Sequence, residues 1–272
     1  QMPLLIESVL ESGTTQAFDT FFSKPIDEVL NELVQDTTTL EFGFFSAFRL
    51  NSSAITNGIY LPKYYDPAVE NILRKLDGTC TRYSIQSLLN DKVIELATGD
   101  EIGKMAYGTG SIPFVRTSDF SNWEIKADAK QGVSEEIYEQ YALKEDVRPG
   151  DILIVRDGTY LVGTSCLITE YDQKMLYCGG LIKIRVLKKD ILDEYLLLGL
   201  LNSYIVKRQI RTKQFTRDVI DTLGQRLREV TLPLPHSVEL RHAISVQIRH
   251  IIENRIEARD CVSNLSRQLI EL

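Results

Sequence analysis

Two arginine-bearing turns are the parts of the sequence best suited to molecular recognition. They are Arg116-Thr117-Ser118-Asp119 and Arg156-Asp157-Gly158-Thr159, and each follows a short apolar run that is typical of a strand. An arginine can donate two hydrogen bonds at once to a guanine or a phosphate, and Thr and Ser hydroxyls can contact phosphates or bases. Neither turn carries a nucleophile beside a general base. Together with Thr109, the turns indicate DNA binding; in the alternative interpretation, Asp119 and Asp157 only cap turns and the arginines are ordinary surface residues.

A basic segment near residue 210 could add contacts to a DNA backbone. Residues 199–230 hold seven Lys and Arg against three Asp and Glu, whereas residues 1–47 hold eight acidic residues and one basic residue. The formal net charge of the chain is −7, but the attraction of phosphates depends on the local field rather than on the total. A solvated helix end is the alternative. The DNA contacts predicted here are Lys207, Arg208, Arg211, Lys213, Gln214 and Arg217.

The sequence lacks the motifs of common catalytic and cofactor-binding loops. It has no P-loop, no G-x-G-x-x-G and no H-E-x-x-H, and it lacks the motif and the glycine-rich loop with which amino-methyltransferases bind S-adenosylmethionine. The four cysteines form no C-x-x-C pair, which argues against zinc. We therefore expect a chain that is not an enzyme and holds no metal or cofactor. A metal-dependent nuclease using Asp100, Glu124 and Lys126 is one alternative, although such a loose pattern often arises by chance.

Hydrophobic periodicity indicates an α+β fold. Runs at 92–97, 112–116, 152–155 and 181–186 predict strands, and residues 190–211 predict a helix. The Phe-rich stretch 40–50 fits either a strand or a buried helix. We predict three parts: an acidic, partly helical segment of unknown role at 1–59, a β-rich domain at 60–235 and a long helix at 236–272.

The final segment predicts a helix with an apolar stripe along one side. About 35 residues at 1.5 Å each would extend about 52 Å, which is more than a compact domain of this size can cover. The stripe therefore requires a partner helix, as in a homodimer; packing against its own domain is the alternative, and an adaptor that acts through this helix alone is a rival function. The stripe residues are Leu240, Ile244, Ile248, Ile251, Ile252, Val262, Leu265 and Leu269.

Several motifs, in order, resemble one known family. Residues 108–125 (GTGSIPFVRTSDFSNWEI) resemble the signature of the target recognition domain in specificity (S) subunits of type I restriction–modification systems. The similarity extends to Tyr64-Tyr65-Asp66-Pro67, to Arg148-Pro149-Gly150-Asp151 and to Leu232-Pro233-Leu234-Pro235 before a long helix. It covers about residues 60–272.

This resemblance implies a non-catalytic subunit that reads one half of a split site in double-stranded DNA. It also implies a spacer helix that dimerises and docks a methyltransferase subunit, on which S-adenosylmethionine would be bound. The family usually has two recognition domains and two such helices, whereas this sequence has one of each. Either two copies pair, or the chain is the specificity part of a fused restriction–methylation enzyme; whether a restriction subunit takes part stays open. Without an apolar run of 18 residues or a signal sequence, we expect a cytoplasmic protein with no membrane partner.

Overall fold

The computed structural model describes residues 39–42, 45–48, 50–121, 123–126, 130–158, 160–172, 174–217 and 220–270. It divides into two compact units, Gln1–Ile72 and Leu73–Leu272. Most of the predicted acidic segment at 1–59 lies outside the described residues, as does Thr159. The three-part division proposed from the sequence stays a prediction. No helix among the described residues is long and apolar enough to cross a membrane.

In the first unit, the Phe-rich stretch forms a β-hairpin. Strand β1 (Thr39–Phe42) pairs antiparallel with β2 (Phe45–Phe48). Further along, the Tyr65 hydroxyl donates to the carbonyl of Ile59 (2.8 Å) and accepts from the Thr56 amide (3.0 Å). Helix α1 (Pro67–Leu76) begins where the Asp66 carboxylate accepts from the amide of Ala68 at 2.9 Å, as expected for an aspartate followed by a first-turn proline.

The second unit is built on a four-stranded antiparallel sheet in the order β11-β9-β13-β4. Its strands are β4 (Ile94–Thr98), β9 (Ile152–Val155), β11 (Ser165–Leu167) and β13 (Leu181–Val186). All four side chains of β9 are completely buried, so this strand lies in the core. That burial agrees with its continuous apolar sequence.

Short strands extend the unit around this sheet. Strand β12 (Leu176–Tyr177) pairs parallel with β5 (Ile112–Val115), which also pairs with β8 (Gly132–Val133). Strand β3 (Cys80–Ser84) pairs with β16 (Thr231–Pro235). The remaining pairs are β6 (Phe120–Ser121) with β7 (Glu124–Ile125), and a small sheet in which β15 (Ile220–Thr222) lies between β10 (Asp157–Gly158) and β14 (Phe215–Arg217).

Five helices complete the described part of the second unit: α2 (Ile85–Asn90), α3 (Glu135–Glu145), α4 (Glu194–Asn202), α5 (Tyr204–Lys213) and α6 (Val238–Ile270). The single helix predicted at 190–211 is wrong, because Ser203 interrupts it. Ser203 has an extended backbone (ψ 151°), and its hydroxyl donates to the carbonyl of Leu200 at 2.7 Å and accepts from the Val206 amide at 3.4 Å. Serine favours this N-cap role because its oxygen satisfies an otherwise free helix amide.

Helix α6 does not present the predicted stripe to a single partner. Ile248 and Ile252 are buried against their own unit, and a side chain at Gly199 of α4 would overlap Ile248. The alternative that the helix packs on its own domain is therefore correct for this part, because Gly199 lets the two helices approach closely. Ile244 is half-buried, while the other predicted stripe residues are exposed: Leu240, Ile251, Val262, Leu265 and Leu269.

Polar contacts tie the middle of α6 to strand β7 and to the turn at residues 170–172 of the same unit. Arg255 forms an ion pair with Glu124 (3.3 Å), and Arg259 forms one with Asp172 (3.3 Å). The Tyr171 hydroxyl donates to the Asp260 carboxylate. The helix axis is therefore fixed relative to the strands as far as residue 260.

Candidate nucleic-acid interface

The Arg116 turn is rigid at its backbone and open at its guanidinium. It follows β5, and the buried Asp119 carboxylate accepts from the Arg116 amide at 2.9 Å. The Asp119 amide donates in return to the Arg116 carbonyl at 2.9 Å. The Arg116 side chain is exposed, and its guanidinium carbon lies 5.7 Å from the ring centroid of Tyr107. Among described residues it has no carboxylate partner, so its donors are available to a ligand.

The Arg156 turn is arranged differently. The Arg156 guanidinium donates to the carboxylate of the adjacent Asp157 through Nε (2.8 Å) and Nη2 (2.6 Å). The other Asp157 oxygen accepts from the Thr222 hydroxyl at 2.5 Å. Asp157 thus orients Arg156 rather than capping a turn, and residues 157–158 form strand β10. Both residues of β10 pair with β15.

Gly180 joins the two arginine turns. Its carbonyl accepts from the amides of Arg156 (2.9 Å) and Asp157 (3.2 Å). A Cβ atom added to Gly180 would lie 2.9 Å from Thr117 Cγ2 and 3.7 Å from the Asp157 carbonyl oxygen. A side chain at Gly180 would require the Thr117 methyl group to move, and the two turns predicted from separate parts of the sequence are therefore neighbours.

The basic segment near residue 213 is connected to the Arg156 turn through the small sheet of β10, β15 and β14. Strand β15 pairs with β10, and the Leu223 amide donates to the Arg156 carbonyl at 2.9 Å. Next to this sheet, the Arg226 guanidinium carbon lies 3.9 Å from the Phe215 ring centroid and its Nε donates to the Lys213 carbonyl at 2.8 Å. Arg226 was not predicted as a site residue; its contacts hold the end of α5 against the small sheet.

The predicted basic residues of α5 differ in their availability. Lys213 is paired with Glu229 at 3.0 Å and only 17% of its side chain is exposed. Arg208 Nη1 donates to the Tyr204 hydroxyl at 2.9 Å. By contrast, Lys207 and Arg211 have no ion pair with any described residue. Gln214 donates to the carbonyl of Val162 at 3.2 Å, and the side chain of Arg217 lies outside the described part of the structure.

Two predicted hydroxyl residues hold the local backbone. The Thr109 hydroxyl donates to the carbonyl of Ala106 (2.8 Å) and accepts from the Ser134 amide (3.0 Å). The Ser118 hydroxyl contacts the Asp119 carboxylate at 3.2 Å. These bonds stabilise the turns around Arg116, whether or not the hydroxyls also contact a ligand.

The three residues of the nuclease-like pattern have separate partners. Asp100 pairs with Lys144, Glu124 with Arg255, and the Lys126 ammonium donates to the Ser118 carbonyl at 2.7 Å. Within the described ranges, no cluster of three or more His, Cys, Asp or Glu residues could hold a metal ion. The geometry therefore gives no support to a shared metal site at these positions.

Two residues of this surface, Tyr107 and Gly180, were not predicted from the sequence. Tyr107 contacts Arg116 and Gly180 joins the turns. The double glycine at 179–180 was the available signal for a close approach. Tyr107 carried no signal, because its contact with Arg116 depends on the folded structure.

Comparison with known proteins gave matches among solved structures alone. No protein-family model and no curated protein matches the chain. The type I restriction–modification S subunit from M. genitalium is similar at a TM-score of 0.49 with 15% identity, over 71% of this chain and 44% of that one. The HsdS subunit from Thermoanaerobacter tengcongensis is similar at a TM-score of 0.41 with 16% identity, over 72% of this chain and 46% of that one.

A third similar chain comes from a structure on complex assembly and conformational transition of the type I R-M system. Its TM-score is 0.44 with 16% identity, over 75% of this chain and 48% of that one. This chain spans less than half the length of each of the three.

Proposed function

We propose that this chain is a sequence-specific DNA-binding module of a type I restriction–modification system. The observation that carries the proposal is the meeting of both arginine turns at Gly180, continuous with the basic end of α5. On this surface Asp157 orients the Arg156 guanidinium, whereas no described carboxylate pairs with Arg116, Lys207 or Arg211. Such a combination suits base reading by a few side chains and backbone contact by others.

The roles divide according to the contacts of each side chain. Arg116 sits on a backbone held by buried Asp119 and can present two donors to a guanine edge. Arg156, held by Asp157, can use its remaining donors in a fixed direction. Lys207 and Arg211 would contact phosphates, which adds affinity without sequence preference. Lys213 is a weaker candidate than its position in the sequence suggested, because Glu229 neutralises it.

The exposed part of α6 supports pairing with a second copy. Ala258, Val262, Leu265 and Leu269 follow spacings of four, three and four residues, which is the pattern of a coiled-coil seam. The last three are 59–72% exposed in the single chain. A homodimer through this seam would carry two recognition units and so read both halves of a split site.

The chain itself would be non-catalytic. In this proposal a partner adenine methyltransferase binds S-adenosylmethionine and is directed to the half-site, and a restriction subunit is a further partner. A chain that is instead the specificity part of a fused restriction–methylation enzyme would keep the same DNA surface, with the methyltransferase covalently attached.

Enrichment from a pool of random duplex DNA tests the proposal. At low salt, the 272-residue chain should enrich one short sequence over successive rounds of binding. Arg116→Ala should bind the pool but lose preference at one base pair, whereas Lys75→Gln, an exposed change on α1, should enrich the wild-type sequence. A wild-type chain that binds the pool without enriching any sequence would refute the specificity role.

A further inference from the structure

A solvent-open cavity of about 160 Å³ lies between α5 and the loop that follows β10. We name it the α5 cleft. Its lining includes Lys207 and Arg211 from the helix, Thr164 and Gly163 from the loop, and Gln214 after the helix end. The volume exceeds what a single water molecule requires, and the exposed Tyr160 stands at its edge.

The cleft is positively charged. Lys207 and Arg211 are one helical turn apart, so their side chains share a face of α5. None of the described lining residues is acidic, and neither cation has an ion pair with a described residue. Two other lysines of this unit are paired with carboxylates, Lys213 with Glu229 and Lys189 with Glu194.

The shape of the cleft is fixed by its backbone. Gly163 has a φ of +84°, and a Cβ atom there would lie 2.5 Å from Ile210 Cγ2, so the loop can pass this close to α5 only with glycine. The Gln214 amide donates to the carbonyl of Val162 at 3.2 Å, which ties the helix end to the same loop. Two cations therefore face a preformed polar cleft beside the Thr164 hydroxyl.

We infer that the α5 cleft binds a phosphate group, with Lys207 and Arg211 as its charged ligands. The inference rests on the proposed function, because the natural source of the phosphate group would be one backbone phosphate of the bound half-site. The lining residue Gln214 immediately precedes β14, which is linked through β15 to β10 beside Arg156. We therefore expect a duplex on the arginine turns to extend towards the cleft. Free phosphate is the other source of the same chemistry.

The test compares Lys207→Gln and Arg211→Gln with the control Lys75→Gln, after circular dichroism has verified that all are folded. Affinity for the enriched duplex is measured over a range of salt concentrations. Each cleft variant should enrich the wild-type sequence, bind it more weakly, and lower the slope of log affinity against log salt by about one unit. The control should keep the wild-type slope. If both cleft variants keep the wild-type slope while the wild type enriches a sequence, the cleft assignment is overturned and the proposed function stands.

Titration with inorganic phosphate separates the two sources. Phosphate should perturb the NMR signals of residues 160–164 and 207–214 in the wild type, and both cleft variants should weaken this binding. If phosphate binds in this way but no duplex sequence is enriched, the cleft is a site for free phosphate and the proposed function fails. If poly-glutamate binds the cleft and phosphate does not, a carboxylate partner replaces phosphate and the inference is wrong.

Discussion

Replacing Glu145 with glutamine should remove a pH dependence from the stability of the second unit. Glu145 ends α3 and is only 2% exposed. Its carboxylate accepts from the amides of Tyr177 (2.9 Å) and Asp100 (3.3 Å). It thereby links α3 to β12, which precedes the glycine pair that joins the arginine turns.

Burial raises the pKa of Glu145 from 4.5 to about 7, with a further increase from the Asp100 carboxylate. The two amide donors and the Lys183 ammonium lower this pKa but do not outweigh burial. A raised carboxyl pKa means that the folded protein holds the proton more tightly than the unfolded chain does. The corresponding stability is fully present below about pH 4.5 and is lost as the pH rises through about 7.

The size of the effect follows from the shift. Each pH unit between the two pKa values removes about 1.4 kcal/mol from the free energy of unfolding, for a total of up to about 3 kcal/mol. A glutamine has one carbonyl oxygen and can satisfy only one of the two amides, which costs about 1–3 kcal/mol relative to the wild type with Glu145 protonated. Glu145→Gln should therefore be less stable than the wild type at about pH 5, and the difference should close towards about pH 8.

Urea unfolding at a series of pH values measures this directly. The matched control is Glu139→Gln, an exposed residue of the same helix, which should retain the wild-type slope. If the wild type and Glu145→Gln show the same dependence on pH between about 5 and 7, Glu145 does not carry the buried proton and the reasoning is wrong.

Three further predictions concern the recognition surface and the long helix. Arg116→Ala should reduce discrimination at one base pair by about 1–3 kcal/mol, measured by competition between single-base variants of the enriched duplex. An equal loss of affinity for every duplex variant would contradict base reading by Arg116. Ile248→Ala should lower the free energy of unfolding in urea by about 2–5 kcal/mol, because Ile248 is buried. Ile251→Ala, at a 41% exposed position, should lower it far less. Similar losses in the two variants would contradict the packing of α6. Truncation after residue 257 should leave the unit folded but monomeric by analytical ultracentrifugation, and a dimer that survives it would exclude the seam at 258–269.

Local signals in the sequence predicted the elements well where one segment decided its own conformation. The continuous apolar run at 152–155 predicted a strand, and this strand is buried in the structure. The Arg116 turn was predicted as a polar turn next to a strand, and the structure has it so, with Asp119 fixing its backbone. In these cases the period of the apolar residues, or the chemistry of the turn residues, is sufficient to predict the local structure.

Long-range contacts account for the places where the structure differs from the predictions made from the sequence. The pairing of Asp157 with Thr222 and of Lys213 with Glu229 depends on strands and helices far apart in sequence, so their availability could not be predicted. The apolar stripe of α6 divides because Gly199 admits Ile248, a contact that periodicity cannot reveal. Ser203 begins α5 as its N-cap, whereas the continuous apolar periodicity on both sides of it predicted a single helix.

The most direct test of the central claim is sequence enrichment from random duplex DNA by the intact chain, read by sequencing, in parallel for the wild type and Arg116→Ala. One short sequence should dominate the wild-type pool, and a single position of that sequence should become degenerate with Arg116→Ala. Equal recovery of all sequences by the wild type, or an unchanged sequence preference in the variant, would contradict recognition through the joined arginine turns.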